Sequence, residues 1–325
     1  MFLSIIIPLY NAEKYICRCI ESCFRQGLNE TDFEVIVVND GSPDNSLQLA
    51  DDVKERGNYK NVIIVDKLNE GVGATRNRGL GLARGEYVAF LDSDDYYLDN
   101  SLLPLLTLVR DYNLDILYFR TKMLAEWDDN WSKEDRGYQV EKNKILSGEE
   151  AFYEGFEPSS MCCCFFRRNI VKKHCIRFSS IKNGEDAEFC YQITAYAGRV
   201  MFVNEAPYIY FLHHHSELEQ KARSNVQKIY DSFSVAQTLC SLSCDLKTQG
   251  RSRLSKFILL MSSRVRFGAL HEFWKNRKTF QQSGQLKDIL DHIEQKGYFP
   301  LKGPFPSWKH WLVANLILNR SFFYK

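Results

Sequence analysis

No apolar run in this 325-residue chain reaches the roughly 18 residues needed to cross a bilayer, so no membrane-spanning helix is expected. No G-x-G-x-x-G follows the first apolar run, where Tyr10, Asn11 and Ala12 stand instead, and no G-x-x-x-x-G-K-[ST] occurs. "GVGATRNRG" is rich in glycine but matches neither pattern, so hydride transfer and P-loop chemistry are both disfavoured. The ten cysteines include no C-x-x-C pair. Cys17, Cys19 and Cys23 share one segment, and Cys162, Cys163 and Cys164 are consecutive, which fits buried reduced thiols of a cytoplasmic protein better than a zinc site. No secretory leader is expected, because the chain enters a strand-like run at Phe2. Charge of either sign is not in excess, with a formal net of +1, and no nucleic-acid partner is expected.

The balance hides an asymmetry. From Lys247 to Lys325 there are 15 basic and 4 acidic residues, about +11, so the remainder is about −10. With 45% apolar and 14% aromatic residues the chain can bury a sizeable core, and its length suggests about two domains. The two expected are residues 1–216, catalytic, and 217–325, a basic helical region.

The first hundred residues alternate regularly. "LSIIIPLY" (3–10), "FEVIVVND" (33–40), "NVIIVDK" (61–67) and "EYVAFLD" (86–92) are apolar runs of strand length. Between them lie helical segments at 11–26, with Asn11 as N-cap, at 42–56, with Ser42 as cap and Pro43 at the first position, and at 71–84. This alternation predicts an α/β fold with a mainly parallel sheet between helices. Ligands of such sheets lie beyond the carboxyl ends of the strands. Pro8 and Tyr10, Asp40 of "NDGS", and Asp92, Asp94 and Asp95 of "DSDD" all fall there. Three carboxylates within four positions repel one another and are costly to desolvate. A hard divalent ion with oxygen ligands, completed by a nucleoside diphosphate, would offset that cost.

"SIIIPLYNAEKYICRCIES", "VIVVNDGSPDNS" and "NEGVGATRNRGLGLARGEYVAFLDSDD" resemble the family 2 glycosyltransferases, and the resemblance continues more loosely through "NGEDAEF" (183–189) and "YIYFLHHHS" (208–216). It implies a GT-A fold and an inverting transfer of sugar from a UDP-sugar donor, assisted by Mn2+ or Mg2+. Tyr10 would stack on the nucleobase, Pro8 would line its pocket, and Asp40 would accept from the imide N–H of uracil. Asn69, Arg76, Asp92 and Ser93 would complete the nucleotide site. Asp94 and Asp95 would meet the metal, joined by one histidine of 213–215, with His213 preferred to His215. Where the family often carries an arginine two residues before His213, Phe211 stands here. Glycosyl transfer also needs a general base for the attacking hydroxyl. Asp186 is preferred for that role and Glu185 for orienting the acceptor, with the reverse assignment open.

The last stretch, "FPSWKHWLVANLILNRSFFYK" (305–325), mixes Trp308, Trp311, Leu312, Leu316, Ile317, Phe322 and Phe323 with basic residues. That mixture, like the basic amphipathic 251–278, suits a helix lying on an anionic membrane surface. The expectation is a cytoplasmic enzyme, peripheral on the inner face of the cell membrane. Its acceptor would be a saccharide, lipid-linked, in capsule, exopolysaccharide or O-antigen assembly. The alternatives are a sugar nucleotidyltransferase and an inactive sugar-binding scaffold.

Overall fold

The computed structural model describes residues 1–134, 138–213, 226–298, 304–305 and 307–316. The chain divides into two compact units, Met1–Ser180 with Phe189–Glu219, and Ile181–Glu188 with Gln220–Lys325.

The first unit opens with β1 (Leu3–Leu9), α1 (Ile16–Phe24), β2 (Phe33–Asn39), α2 (Ser46–Arg56), β3 (Val62–Asp66), α3 (Val72–Leu82) and β4 (Tyr87–Phe90). β1, β2 and β4 are buried along their whole length, as continuous apolar runs covered on both faces must be. β5 (Tyr96–Tyr97), α4 (Leu102–Asp111), β6 (Ile116–Tyr118), β7 (Thr121–Ala125), β8 (Asp128–Glu134), α5 (Gly148–Tyr153), β9 (Cys164–Arg167), α6 (Arg168–Lys173), α7 (Glu185–Tyr196), β10 (Val200–Phe202) and β11 (Tyr208–Leu212) follow. The main sheet of the described residues has the order β10-β6-β9-β4-β1-β2-β3. β9 alone runs antiparallel to its neighbours β4 and β6. A smaller sheet runs β5-β11-β7-β8. The mainly parallel sheet agrees with the sequence reading.

The chain winds outward from β1 through β2 to β3, then returns to β4 on the other side of β1. The reversal between β1 and β4 is the place where such sheets open a ligand crevice. Pairing of β1 with β4 ends at Ile6 opposite Phe90. Along β1, the Ile6 carbonyl faces β4 and accepts from Leu91, whereas the Leu9 carbonyl faces the β2 side and accepts from Asp40. By that alternation residue 8 faces β4, beyond the end of the ladder. It is proline, which has no N–H to leave unpaired there. α3 lies close on β1: a Cβ at Gly79 would stand 2.3 Å from Ile6 Cγ2.

Two helices start later than expected. Asn11 has φ 53° and does not cap α1, which begins at Ile16, and α2 begins at Ser46. The two intervening loops bond to each other instead. Ser42 Oγ accepts from the Asn11 N–H, Ser46 Oγ from that of Ala12, and Asp44 from that of Glu13. The donors and acceptors that would have formed first helical turns thus tie the loop after β1 to the loop after β2.

At the opposite end of these strands Glu34 is fully buried. Its carboxylate accepts from Ser4 Oγ at 2.7 Å, Arg84 N at 2.7 Å and Arg84 Nε at 2.9 Å. Burial alone would raise its pKa, but these donors and the guanidinium charge hold it below the ordinary carboxyl value. A depressed folded-state pKa stabilises above the unfolded value, and that contribution is lost as pH falls through the folded one. Glu34→Gln is therefore expected to cost about 1–3 kcal/mol at neutral pH. Melting curves of the two proteins should converge toward acid; a gap that persists unchanged below pH ~3 would contradict the assignment.

The second unit is helical: α8 (Val226–Thr248), α9 (Ser252–Lys275), α10 (Arg277–Gln282), α11 (Leu286–Gln295) and α12 (Trp308–Leu316). The first turn of α7 belongs to it as well. α8 and α9 are joined by buried serines: Ser243 Oγ donates to the Ser255 carbonyl at 2.8 Å and Ser255 Oγ to the Ser243 carbonyl at 2.7 Å. Phe233, Leu270, Phe273, Phe280, Ile289, Leu290 and Ile293 form its core, and Ala314 of α12 packs into it. Among the described residues no helix is long and apolar enough to cross a membrane. Cys19, Cys23, Cys162, Cys163, Cys164 and Cys190 are buried, and all ten cysteines are free thiols.

Candidate functional site

At the end of β1, Tyr10 is 51% exposed, just past the buried Pro8. Beyond β2, Asp40 is buried and its carboxylate accepts from the Lys67 ammonium, from Glu70 N at 2.9 Å and from Gly71 N at 2.9 Å. Burial would raise its pKa, yet Lys67 and the two amides hold it below the ordinary value. Asp40 thereby fixes the turn that leads into α3, and Asn69 is exposed on that turn.

α3 brings Arg76 to the end of β4. The guanidinium is buried, donates to Asp92 Oδ1 at 3.2 Å and lies 5.5 Å from the centre of the Phe178 ring. The Asp92 side chain keeps about a third of its surface exposed, and its second oxygen meets Cys162 Sγ at 3.5 Å. Ser93 is buried beside it. The Asp94 side chain is similarly exposed, and its Oδ2 lies 3.0 Å from His213 Nε2. His213 is buried and stacked on Tyr15 with ring centres 4.5 Å apart.

Asp95 points the other way. It is 1% exposed, and its oxygens accept from Tyr208 Oη and from Phe211 N at 2.8 Å. Burial, then the charges of Asp94 and Asp92, push its carboxyl well above the ordinary value against those two donors. The three aspartates that crowd in sequence thus face three directions and meet three different partners. Arg76 takes Asp92, His213 takes Asp94, and Tyr208 with the Phe211 amide takes Asp95. Arg76 offsets part of this charge, while the repulsion persists in the raised carboxyl of Asp95.

The small sheet makes this possible. β11 pairs with β5, Tyr208 opposite Tyr97, and so carries Phe211 and His213 against the aspartate turn. Arg18 from α1 completes the arrangement. Its guanidinium lies 3.9 Å from the Phe211 ring centre and 4.2 Å from that of Tyr96, and donates to the Asp94 carbonyl at 3.1 Å. Sequence reading missed Arg18, Lys67, Tyr208 and Cys162. Only Lys67, at the end of the third strand, stood at a position that could have signalled it. His214 and His215 lie outside the described residues.

The predicted base belongs to the other unit. Glu185 is buried there and Asp186 follows it at the start of α7, after Gly184 at φ 89°. The structure therefore gathers Pro8, Tyr10, Asp40, Asn69, Arg76, Asp92, Ser93, Asp94, Asp95 and His213 in the first unit, and Glu185 and Asp186 in the second. Among the described residues no group of three or more His, Cys, Asp or Glu side chains is arranged to hold a metal ion. Asp94 with His213 nonetheless offers one carboxylate, which suits Mn2+ or Mg2+, and one imidazole, which favours a transition ion over Mg2+.

Residues 4–175 match glycosyl transferase family 2, and the chain belongs to that family. It is 30% identical over 221 residues to the uncharacterized glycosyltransferase YibD of Escherichia coli, covering 66% of this chain and 62% of that protein. With the uncharacterized glycosyltransferase EpsJ of Bacillus subtilis it shares 32% identity, covering 64% and 60%. The chain thus spans about three fifths of the length of these two relatives. A poly(ribitol-phosphate) beta-N-acetylglucosaminyltransferase of Staphylococcus aureus, TarS, is 27% identical over 71% of this chain and 39% of its own. The crystal structure of TarS 1–349 in complex with UDP-GlcNAc superposes with a TM-score of 0.67 at 20% identity, covering 91% of this chain and 92% of that one. The fold is accordingly GT-A, as the resemblance implied.

Proposed function

We propose that the protein transfers a sugar from a UDP-sugar to a hydroxyl of a lipid-linked saccharide acceptor, with inversion and with help from a divalent cation. The observation that carries this reading is the end of β4, where Asp92 and Asp94 stay partly exposed beside Arg76 and His213 at the strand-order reversal. The complex of TarS with UDP-GlcNAc supports a uridine donor. Tyr10, half exposed, would stack on the base, and Asp40, held by Lys67, keeps a free lone pair on Oδ2 for its imide. Arg76 orients Asp92 toward the ribose. Asp94 and His213 would hold the cation, which supplies positive charge against the departing diphosphate. Asp95, with both oxygens engaged, keeps the loop in shape. Asp186 takes the proton of the attacking hydroxyl, and Glu185 orients the acceptor. Incubating the full chain with a panel of UDP- and GDP-sugars and Mn2+, and measuring released nucleoside diphosphate, tests the reading. Turnover of GDP-sugars alone would overturn the uridine assignment.

The acceptor assignment draws on the second unit. On α12, Ala314 is buried in the core while Trp308 and Trp311 are 69% and 54% exposed and Leu312 stands beside them. Aromatic side chains on one outward face of a basic unit fit an anionic membrane surface, where apolar burial and headgroup attraction add. The triple change of Trp308, Trp311 and Leu312 to serine leaves Ala314 in place and should reduce flotation with phosphatidylglycerol vesicles several-fold. Salt should weaken the binding of the unaltered protein without abolishing it, since screening acts on the charges alone. Equal flotation of the two proteins would clear α12 of a membrane role.

A further inference from the structure

Four hydrogen bonds converge on a side chain that the family match at residues 4–175 does not reach. Asp231, on α8, is 1% exposed. Its Oδ2 accepts from Lys182 N at 3.2 Å, Asn183 N at 3.0 Å and Asn183 Nδ2 at 2.7 Å. Its Oδ1 accepts from Gln227 Nε2 at 2.8 Å, one helical turn earlier. The next residue in the chain is Gly184, in the left-handed region at φ 89°, where a Cβ would come 3.3 Å from Val235 Cγ2. Val235 lies one turn beyond Asp231 on the same helix. Directly after the glycine come Glu185 and Asp186. All of these residues lie in the second unit.

We infer that Asp231 is a positioning residue for Asp186 and Glu185: α8 clasps the Lys182–Gly184 turn and so sets where the two carboxylates stand. The inference rests on the reading of Asp186 as the base. Two consecutive backbone N–H groups directed at one carboxylate oxygen fix the local backbone path. Left without that acceptor, these partly buried N–H groups would turn toward water, and the turn would lose the one buried carboxylate that fixes its path. Asn183 contributes a third bond from its side chain, so the peptide is held on two sides. Val235 limits the space at residue 184, and the positive φ there admits glycine and little else.

The chemistry also predicts which substitution is tolerated. In Asp231→Asn the amide oxygen can keep the three donors now on Oδ2, while the amide NH2 faces Gln227, whose side-chain amide can flip to present its oxygen. In Asp231→Ala all four donors lose their acceptor. The experiment uses the full chain and the UDP-sugar it hydrolyses fastest, with water in place of the acceptor. Asp231→Ala should lower kcat by about 10–100-fold, because small displacements of a reacting group cost that much. UDP binding measured by calorimetry should stay within about twofold, and Asp231→Asn should recover most of the rate. Hydrogen exchange supplies a readout independent of activity: the Lys182 and Asn183 amides should exchange faster in Asp231→Ala and keep their protection in Asp231→Asn. Unchanged kcat and exchange in Asp231→Ala would overturn the inference, as would loss of UDP binding in parallel with kcat. Asp186→Asn is run beside them. If that variant keeps its full rate, the base assignment itself has failed; if it loses rate while Asp231→Ala does not, only the positioning role has.

Discussion

Asp94→Ala should abolish sugar transfer and the metal dependence of UDP binding, with a fall in kcat of about 10³-fold or more. The argument rests on position. Asp94 is the member of the aspartate group that keeps an exposed carboxylate against an imidazole, whereas Asp92 is shared with Arg76 and Asp95 is turned inward. The loop itself should survive the change. Its shape depends on the Tyr208 and Phe211 bonds to Asp95, on the Asp95 N–H to the Asp92 carbonyl, and on Arg18 at the Asp94 backbone carbonyl. Circular dichroism and melting temperature should therefore stay near those of the unaltered protein. Near-normal turnover of Asp94→Ala in chelator-treated buffer would show that no cation acts there.

Asp186→Asn should give the second large effect and the opposite pattern. Loss of a general base lowers the catalytic rate by about 10²–10⁴-fold. Donor affinity should be almost untouched, because the proposed base acts on the acceptor hydroxyl, whereas Tyr10, Asp40, Arg76 and Asp92 are the residues proposed to hold the nucleotide. Calorimetry with UDP beside single-turnover kinetics separates the two quantities. A variant that no longer binds UDP would place Asp186 at the nucleotide instead, and a full rate would leave the base role to Glu185.

The elements that sequence made legible are those governed by local pattern. β1 to β4 are mostly apolar runs of strand length, α1 to α3 lie between them, and the positions just past the strands were open to inspection. The helix starts were misjudged because Asn11 and Ser42 look like caps. Their bonding is decided by each other, across a sequence separation of 31 residues. The small sheet was not read at all. Tyr96 and Tyr97 are two residues long as a strand, and their partners stand more than a hundred positions later. That pairing turns Asp95 inward, so three similar carboxylates could not be told apart from "DSDD" alone. Asp231 was invisible for the same reason: an aspartate in an amphipathic helix carries no local sign that a turn nearly fifty residues earlier donates to it.

Pro8 acts as a stop on a zipper. β1 and β4 are both buried and parallel, and their ladder ends at Ile6 opposite Phe90. Each further rung would narrow the crevice between them. A residue without an N–H at the next β4-facing position removes the donor that such a rung requires. The opening at the centre of the sheet is thus encoded in part in the backbone of β1. Substituting Pro8 by alanine would restore the missing donor on the β1 side, while on the β4 side the turn held by Tyr208 and Arg18 still draws the chain away.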